Sequence, residues 1–95
     1  MDISVASNTI AIQGNIKSIA DHQKIKETID ELIKTEKHII LNIQDSISIT
    51  SSVIGYFNKL VLKDNIDLHI NIGSEQLMEL FKDLNFVSLF HAKKV

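Results

Sequence analysis

The sequence contains no cysteine, which excludes two classes of protein at once. Neither disulfides nor thiolate metal sites can form, so a small secreted scaffold held by bridges is ruled out and a reducing compartment fits best. An excess of charge of one sign is also lacking. The 10 basic and 12 acidic residues are spread along the chain and leave a formal net charge of -2. Nothing in this balance suggests binding to nucleic acid or to anionic lipid.

Long hydrophobic runs are lacking too, and we expect no N-terminal leader. No window approaches the roughly 18 apolar residues that a membrane span needs. Residues 1–4 contain no basic stretch leading into an apolar one. We therefore expect a cytoplasmic protein without direct membrane insertion.

Length and apolar content indicate one domain over residues 1–95. With 44% apolar residues, a chain of 95 residues can build one hydrophobic core and not two. Little material remains for a deep cavity, so a shallow surface site is the safer expectation. No proline, low-complexity segment or internal repeat marks the element boundaries, which have to be predicted from the apolar pattern.

In the first half of the chain the spacing of the apolar residues is first typical of strands, then of a helix, and then of a strand again. Residues 3–5 and 10–12 alternate between apolar and other side chains around a turn, which predicts two short strands in a hairpin. The apolar residues of segment 18–33 follow helical spacing, with Ser18 as the N-cap. Residues 39–43 form a nearly unbroken β-branched run, typical of a central strand that is covered on both faces and has a parallel neighbour.

In the second half, residues 53–61 form another helical stripe, whose helix begins near the hydroxyl residues 50–52. Residues 66–72 alternate strictly, which predicts a strand with one face in water and a sheet that is not fully covered. Ser74 caps a third helix. Residues 87–90 predict a last short strand.

These elements predict an α/β fold. Their order is ββαβαβαβ, and right-handed crossovers place the later strands parallel in one sheet with the helices packed against it. We expect a mixed sheet of four to five strands with three to four helices.

The residue types that carry catalysis occur without the spacing that catalysis needs. The four histidines lie on different predicted elements with no HxH or HxxxH spacing, so a metal centre has little support and no cofactor is expected. The three glycines do not cluster into a phosphate-binding loop, and no serine lies in a GxSxG context. We therefore expect a protein that is not an enzyme. The histidines are His22, His38, His69 and His91, and the glycines are Gly14, Gly55 and Gly73.

Asp45 allows one enzyme-class alternative. It follows the predicted buried strand, where receiver domains of two-component systems carry a phosphorylated aspartate. A receiver also needs an acidic pair after its first strand to hold a divalent cation, and here residues 13–15 read Gln, Gly, Asn. Asp45 is better interpreted as a solvated loop residue, with a degenerate receiver-like domain as the alternative.

The segment Thr50, Ser51, Ser52 places three hydroxyls where the chain enters an amphipathic helix. The first amides of a helix have no intrahelical partner and carry its positive dipole end, so a hydroxyl or phosphate oxygen is accommodated there. Simple N-capping explains one of the three hydroxyls. It does not require all three.

At these residues the sequence resembles the STAS domain family, the sulfate-transporter and anti-sigma-factor-antagonist domains, over about residues 8–91. Gly14 matches the glycine that ends the second strand of the family, and Asn42 matches the late polar residue of its buried strand. Eight residues after that position the family typically reads Asp, Ser, Ser or Thr, Gly, Leu, Gly, and this chain has Thr50 to Gly55 in those places. The resemblance rests on order and spacing together.

Two positions depart from the family pattern. Thr50 replaces the usual acid before the phosphorylatable serine, and Lys17 lies where relatives often carry an aspartate. In regulated members of the family both positions help recognition by the partner kinase.

The resemblance implies a non-enzymatic regulatory module, an anti-sigma factor antagonist, that switches partners when Ser51 is phosphorylated. The implied partner is an anti-sigma factor or serine kinase with an ATPase fold, and the implied state is a monomer or weak homodimer. The alternative is a constitutive cytoplasmic STAS subunit that binds the ATPase of an ABC-type lipid transport complex. The implied partner-binding residues are Asn15, Lys17, Asn42, Thr50, Ser51 and Ser52.

Overall fold

In a computed structural model that describes residues 1–95, the chain forms a five-stranded mixed sheet and three helices. The predicted α/β class is confirmed. The strands are β1 (Asp2–Ala6), β2 (Thr9–Gln13), β3 (His38–Ile43), β4 (Asp67–Ile72) and β5 (Lys93–Lys94), and the helices are α1 (Ile19–Leu32), α2 (Ser51–Leu62) and α3 (Glu75–Asp83).

The three helices begin where short polar side chains satisfy their first amides. Ser18 caps α1 in a capping box with Asp21, Thr50 caps α2, and Ser74 caps α3. The predicted helix starts are therefore confirmed. None of the three helices is long and apolar enough to span a bilayer.

The strands lie in the sheet in the same order as in the sequence, β1-β2-β3-β4-β5. β1 and β2 form the predicted antiparallel hairpin, and each later strand lies parallel to the one before it. Since each crossover moves one strand in the same direction, right-handed connections place all three helices on one face of the sheet. A single core of 21 buried residues lies between that face and the helices.

The other face of the sheet is open, and this corrects the prediction for β3. Its residues alternate between buried and partly exposed, so Ile40 and Asn42 are not covered. The parallel neighbours expected for this strand are present, but no helix lies on its second side. The one-sided burial predicted for β4 is confirmed.

The last strand was predicted wrongly at residues 87–90. This segment forms turns, in which Ala92 N–H donates to the Val87 carbonyl at 2.8 Å, and the strand follows at β5. The apolar residues of the segment are used for packing: the ring of Phe90 is fully buried, with centroids 6.0 Å from Phe57 and 6.1 Å from Phe81.

Candidate functional site

At the start of α2, one of the three hydroxyl residues caps the helix and the other two do not. Thr50 has extended backbone, and its Oγ1 accepts a hydrogen bond from Val53 N–H at 3.3 Å. Ser51 and Ser52 are the first helical residues, and both are exposed. The cap therefore uses Thr50 and leaves two serines on the surface at the positive end of the helix.

A shallow cleft of about 130 Å³ joins this helix start to the start of α1. Thr50 and Ser52 line one side, and Lys17 lies on the other. The first turn of α2 contains no acidic residue, so its amide end and Lys17 are positive, whereas on the α1 side the Asp21 carboxylate accepts from Lys17 N–H at 3.1 Å and from Ser18 N–H at 3.3 Å. The remaining lining residues are Ser18, Ile19 and His22.

Two large apolar side chains accompany these polar residues. Ile19 is 87% exposed although it lies in the wall of the cleft, and Ile47, in the loop before α2, is 46% exposed. Isolated surface leucines and isoleucines are common in folded proteins. Here Ile19 lies in the same cleft as Ser52, so an apolar side chain and a hydroxyl are exposed together beside the start of α2.

The loop before α2 is held by the loop after β2. Asp45 Oδ1 accepts from Gly14 N–H at 2.7 Å, and Asn15 Oδ1 accepts from Ile47 N–H at 3.0 Å. The buried Ser46 hydroxyl donates to the Gly14 carbonyl. These bonds fix the backbone that leads to Ser51. They also give Asp45 and Asn15 structural roles.

The predicted site residues are thus brought together only in part. Lys17, Thr50 and Ser52 share the cleft, Ser51 lies beside them, and Asn15 braces the adjoining loop. Asn42 lies elsewhere, because its side chain is on the open face of the sheet, where its Oδ1 accepts from Asn71 Nδ2 at 2.8 Å.

No protein-family model matches the chain, and no curated protein matches it either. The resemblance to STAS domains therefore rests on the order and spacing of the residues described above. Any function has to be proposed from the chemistry of the site.

A buried tyrosine connects the two helices that form the cleft. Tyr56 Oη on α2 donates to Asp30 Oδ1 on α1 at 2.6 Å, and Lys26 Nζ lies 2.7 Å from Asp30 Oδ2. Burial raises the pKa of Tyr56, and the carboxylate of Asp30 raises it further. Burial also opposes ionisation of Asp30, but hydrogen bonds from Lys26 and Tyr56 outweigh it and lower the pKa of that carboxyl.

A second group of polar side chains was missed by the sequence analysis. Asp67 accepts a hydrogen bond from His38 Nδ1 at 2.7 Å and another from His69 Nε2 at 3.0 Å. The bond from His38 is the main cause that lowers the pKa of Asp67; slight burial opposes the shift, and His69 adds to it. The two histidines are 31 positions apart in the sequence, so no local spacing motif contains both. The available signal was the Asp-x-His alternation on β4.

Proposed function

We propose that this protein is a non-enzymatic, partner-binding regulatory module of the anti-sigma factor antagonist type. The start of α2 docks on a regulator with an ATPase fold, an anti-sigma factor or serine kinase, and phosphorylation of Ser51 releases it. One observation carries the proposal: two serines that the helix cap does not use lie exposed beside a nearly fully exposed isoleucine, Ile19.

Both parts of this surface contribute to docking. Ile19 and Ile47 offer apolar area that is removed from water when a partner covers them, at about 25 cal/mol per Å². The serine hydroxyls and the free amides behind them offer directional hydrogen bonds, which give orientation and specificity.

Phosphorylation affects the free and the bound domain differently. A phosphate on Ser51 adds a charge of about -1.5 to -2, which the helix N-terminus and nearby Lys17 tolerate in the free domain. In a docked interface the phosphate must lose its hydrating water, and the partner protein need not place a cation opposite it. A penalty of ~3 kcal/mol weakens binding on the order of a hundredfold, which is enough for a switch.

A second candidate function is a constitutive subunit that binds the ATPase of an ABC-type lipid transport complex. The observation that favours it is the absence of an acid at the start of α2, where Thr50 takes the place of the usual aspartate. A subunit of this kind needs the same docking surface but no phosphorylation.

The two functions are separated by recovering partners with the tagged full chain from its native cells. We expect wild type and Ser51→Ala to recover a kinase-like regulator that Ser51→Asp recovers at least about tenfold less well. Ser88→Asp is the matched control, because it adds the same charge to an exposed serine in the C-terminal turn. The intact mass of the wild-type chain shows in the same sample whether one phosphate is present.

Misfolding is excluded by measuring the stability of the same variants. A negative charge in the first turn of α2 should raise the free energy of unfolding of Ser51→Asp by about 0.3 to 1 kcal/mol, since it is attracted to the positive N-terminal end of the helix dipole. Loss of partner without loss of stability supports the switch. Equal recovery of every partner by Ser51→Asp contradicts it, and recovery of a transporter ATPase by all variants supports the constitutive subunit.

A further inference from the structure

The amino ends of β3 and β4 carry a cluster of three metal-binding side chains on the open face of the sheet. His38 begins β3, Asp67 begins β4, and His69 follows two residues later on the same strand. One ligand atom from each residue lies within 4.8 Å of the other two. The cluster lies at the end of the sheet opposite to the start of α2, since α2 follows the carboxyl end of β3.

The strand register brings these residues together. In the parallel pairing of β3 and β4, His38 is the partner of Asp67 and Ile40 is the partner of His69. Alternate residues of a strand share a face, so His38, Asp67 and His69 all project from the side that the helices leave open. Side chains on paired central strands are held more rigidly than side chains on loops.

We propose that His38, Asp67 and His69 form a binding site for a divalent transition-metal ion of the Zn²⁺ class. Two imidazole nitrogens and one carboxylate oxygen are a donor set that Zn²⁺ accepts and that Mg²⁺ and Ca²⁺ do not favour. Both imidazoles already approach the two oxygens of one carboxylate, at 2.7 and 3.0 Å.

The geometry requires only small side-chain movements. Zn²⁺ at about 2.0 to 2.1 Å from each ligand needs ligand atoms roughly 3.3 Å apart. The His38 and His69 rings have centroids 4.9 Å apart and are tilted by 59°. The three side chains are between 38% and 54% exposed, so they have room to rotate toward a shared ion.

His91 holds one of the ligand rings in place. Its ring stacks on His69 with centroids 4.3 Å apart and an interplanar angle of 12°. Its own Nδ1 lies 3.0 Å from the Leu68 carbonyl, which fixes the orientation of the stack. Three protein ligands leave a fourth position of the ion open to solvent, the arrangement of a metal that contacts water or a further ligand.

The test is calorimetric titration of the full chain with ZnCl₂ at slightly alkaline pH, because Zn²⁺ binds imidazole through a neutral ring nitrogen. We expect one ion per chain and a loss of affinity of more than about tenfold in each of His38→Ala, His69→Ala and Asp67→Asn. His22→Ala is the matched control, because His22 lies on α1 outside the cluster, and its affinity should equal that of wild type. Failure of wild type to take up zinc, or uptake that is unchanged in the three variants, overturns the site and leaves hydrogen bonding as the only role of the carboxylate.

A measurement on wild type alone guards against variants that fail to fold. Nitrogen NMR of the uniformly labelled chain should show zinc-dependent shifts at His38 Nδ1 and His69 Nε2 and none at His22. Equal shifts at all histidines would mean indiscriminate surface binding, and the proposal would be wrong. Because these residues lie away from Ser51, either result leaves the proposed partner switch untouched.

Discussion

At the residue scale, the two glycines Gly55 and Gly73 lie in very different surroundings, and only one of these positions requires glycine. A Cβ on Gly73 would lie 2.0 Å from the carbonyl oxygen of Gln44, so the end of β4 approaches the end of β3 more closely than any side chain permits. Gly55 lies inside α2, and a Cβ there would meet nothing within 4 Å. Backbone proximity requires the first glycine, whereas no packing contact requires the second.

Alanine at the two positions should therefore change stability in opposite directions. We expect Gly73→Ala to lower the free energy of unfolding by about 1 to 3 kcal/mol, because backbone must move to admit the methyl group. We expect Gly55→Ala to raise it by about 0.5 to 1 kcal/mol, because alanine is the better helix former. Urea unfolding monitored by circular dichroism measures both, and a change of the same sign in both variants would contradict the packing described here.

At the element scale, α1 and α2 are joined by the bond from Tyr56 to Asp30. The folded-state pKa of Asp30 lies below its ordinary value of 3.8, so the ionised carboxylate stabilises the fold. That contribution is fully present above the ordinary value and is lost as the pH falls through the lower, folded-state pKa. It is modest, since the Asp30 side chain is 38% exposed and partly screened by water.

Tyr56→Phe should remove one of the bonds that lower this pKa and keep the ring in the core. We expect a loss of about 0.5 to 1.5 kcal/mol at neutral pH. The difference from wild type should shrink as the pH falls below 3.8 and through the lower, folded-state pKa of Asp30, because the carboxylate then becomes protonated in wild type too. Urea unfolding over a pH series measures this, with Lys34→Ala as a control for an exposed ion pair. A difference that does not depend on pH would mean that the tyrosine acts through packing alone.

At the scale of the whole molecule, one core contains buried residues from Ile10 near the N-terminus to Ala92 near the C-terminus. Phe57 of α2, Phe81 of α3 and Phe90 of the C-terminal turn are all fully buried and lie in one aromatic cluster. A chain of this size with a single core should unfold in one cooperative transition. The association state, predicted as monomer or weak homodimer, stays a prediction.

Phe90→Ala tests whether the C-terminal turn belongs to that core. We expect it to lower the free energy of unfolding by about 3 to 5 kcal/mol while the transition stays single, because the cavity opens between α2 and α3. Leu84→Ala is the control, since Leu84 is 44% exposed, and it should change stability by less than about 0.5 kcal/mol. A second transition in Phe90→Ala would show that the turn folds separately.

The sequence by itself determined the three helices with their starts and the first four strands. Both depend on neighbours within a few positions: alternation marks a strand, helical spacing marks a helix, and Ser18, Thr50 and Ser74 cap the turn that follows them. For the same reason the exposed serines at the start of α2 were located before the fold was known.

Only the tertiary structure decided which faces are covered and which distant residues meet. Alternation shows that residues share a face, but not which strand lies beside them, in what register, or on which side the helices pack. That is why β3 was wrongly expected to be covered on both faces, why Asn42 lies away from the helix start, and why Phe90 was assigned to a strand. The pairing of His38 with Asp67 follows from the register of two parallel strands, which no local pattern in either strand contains.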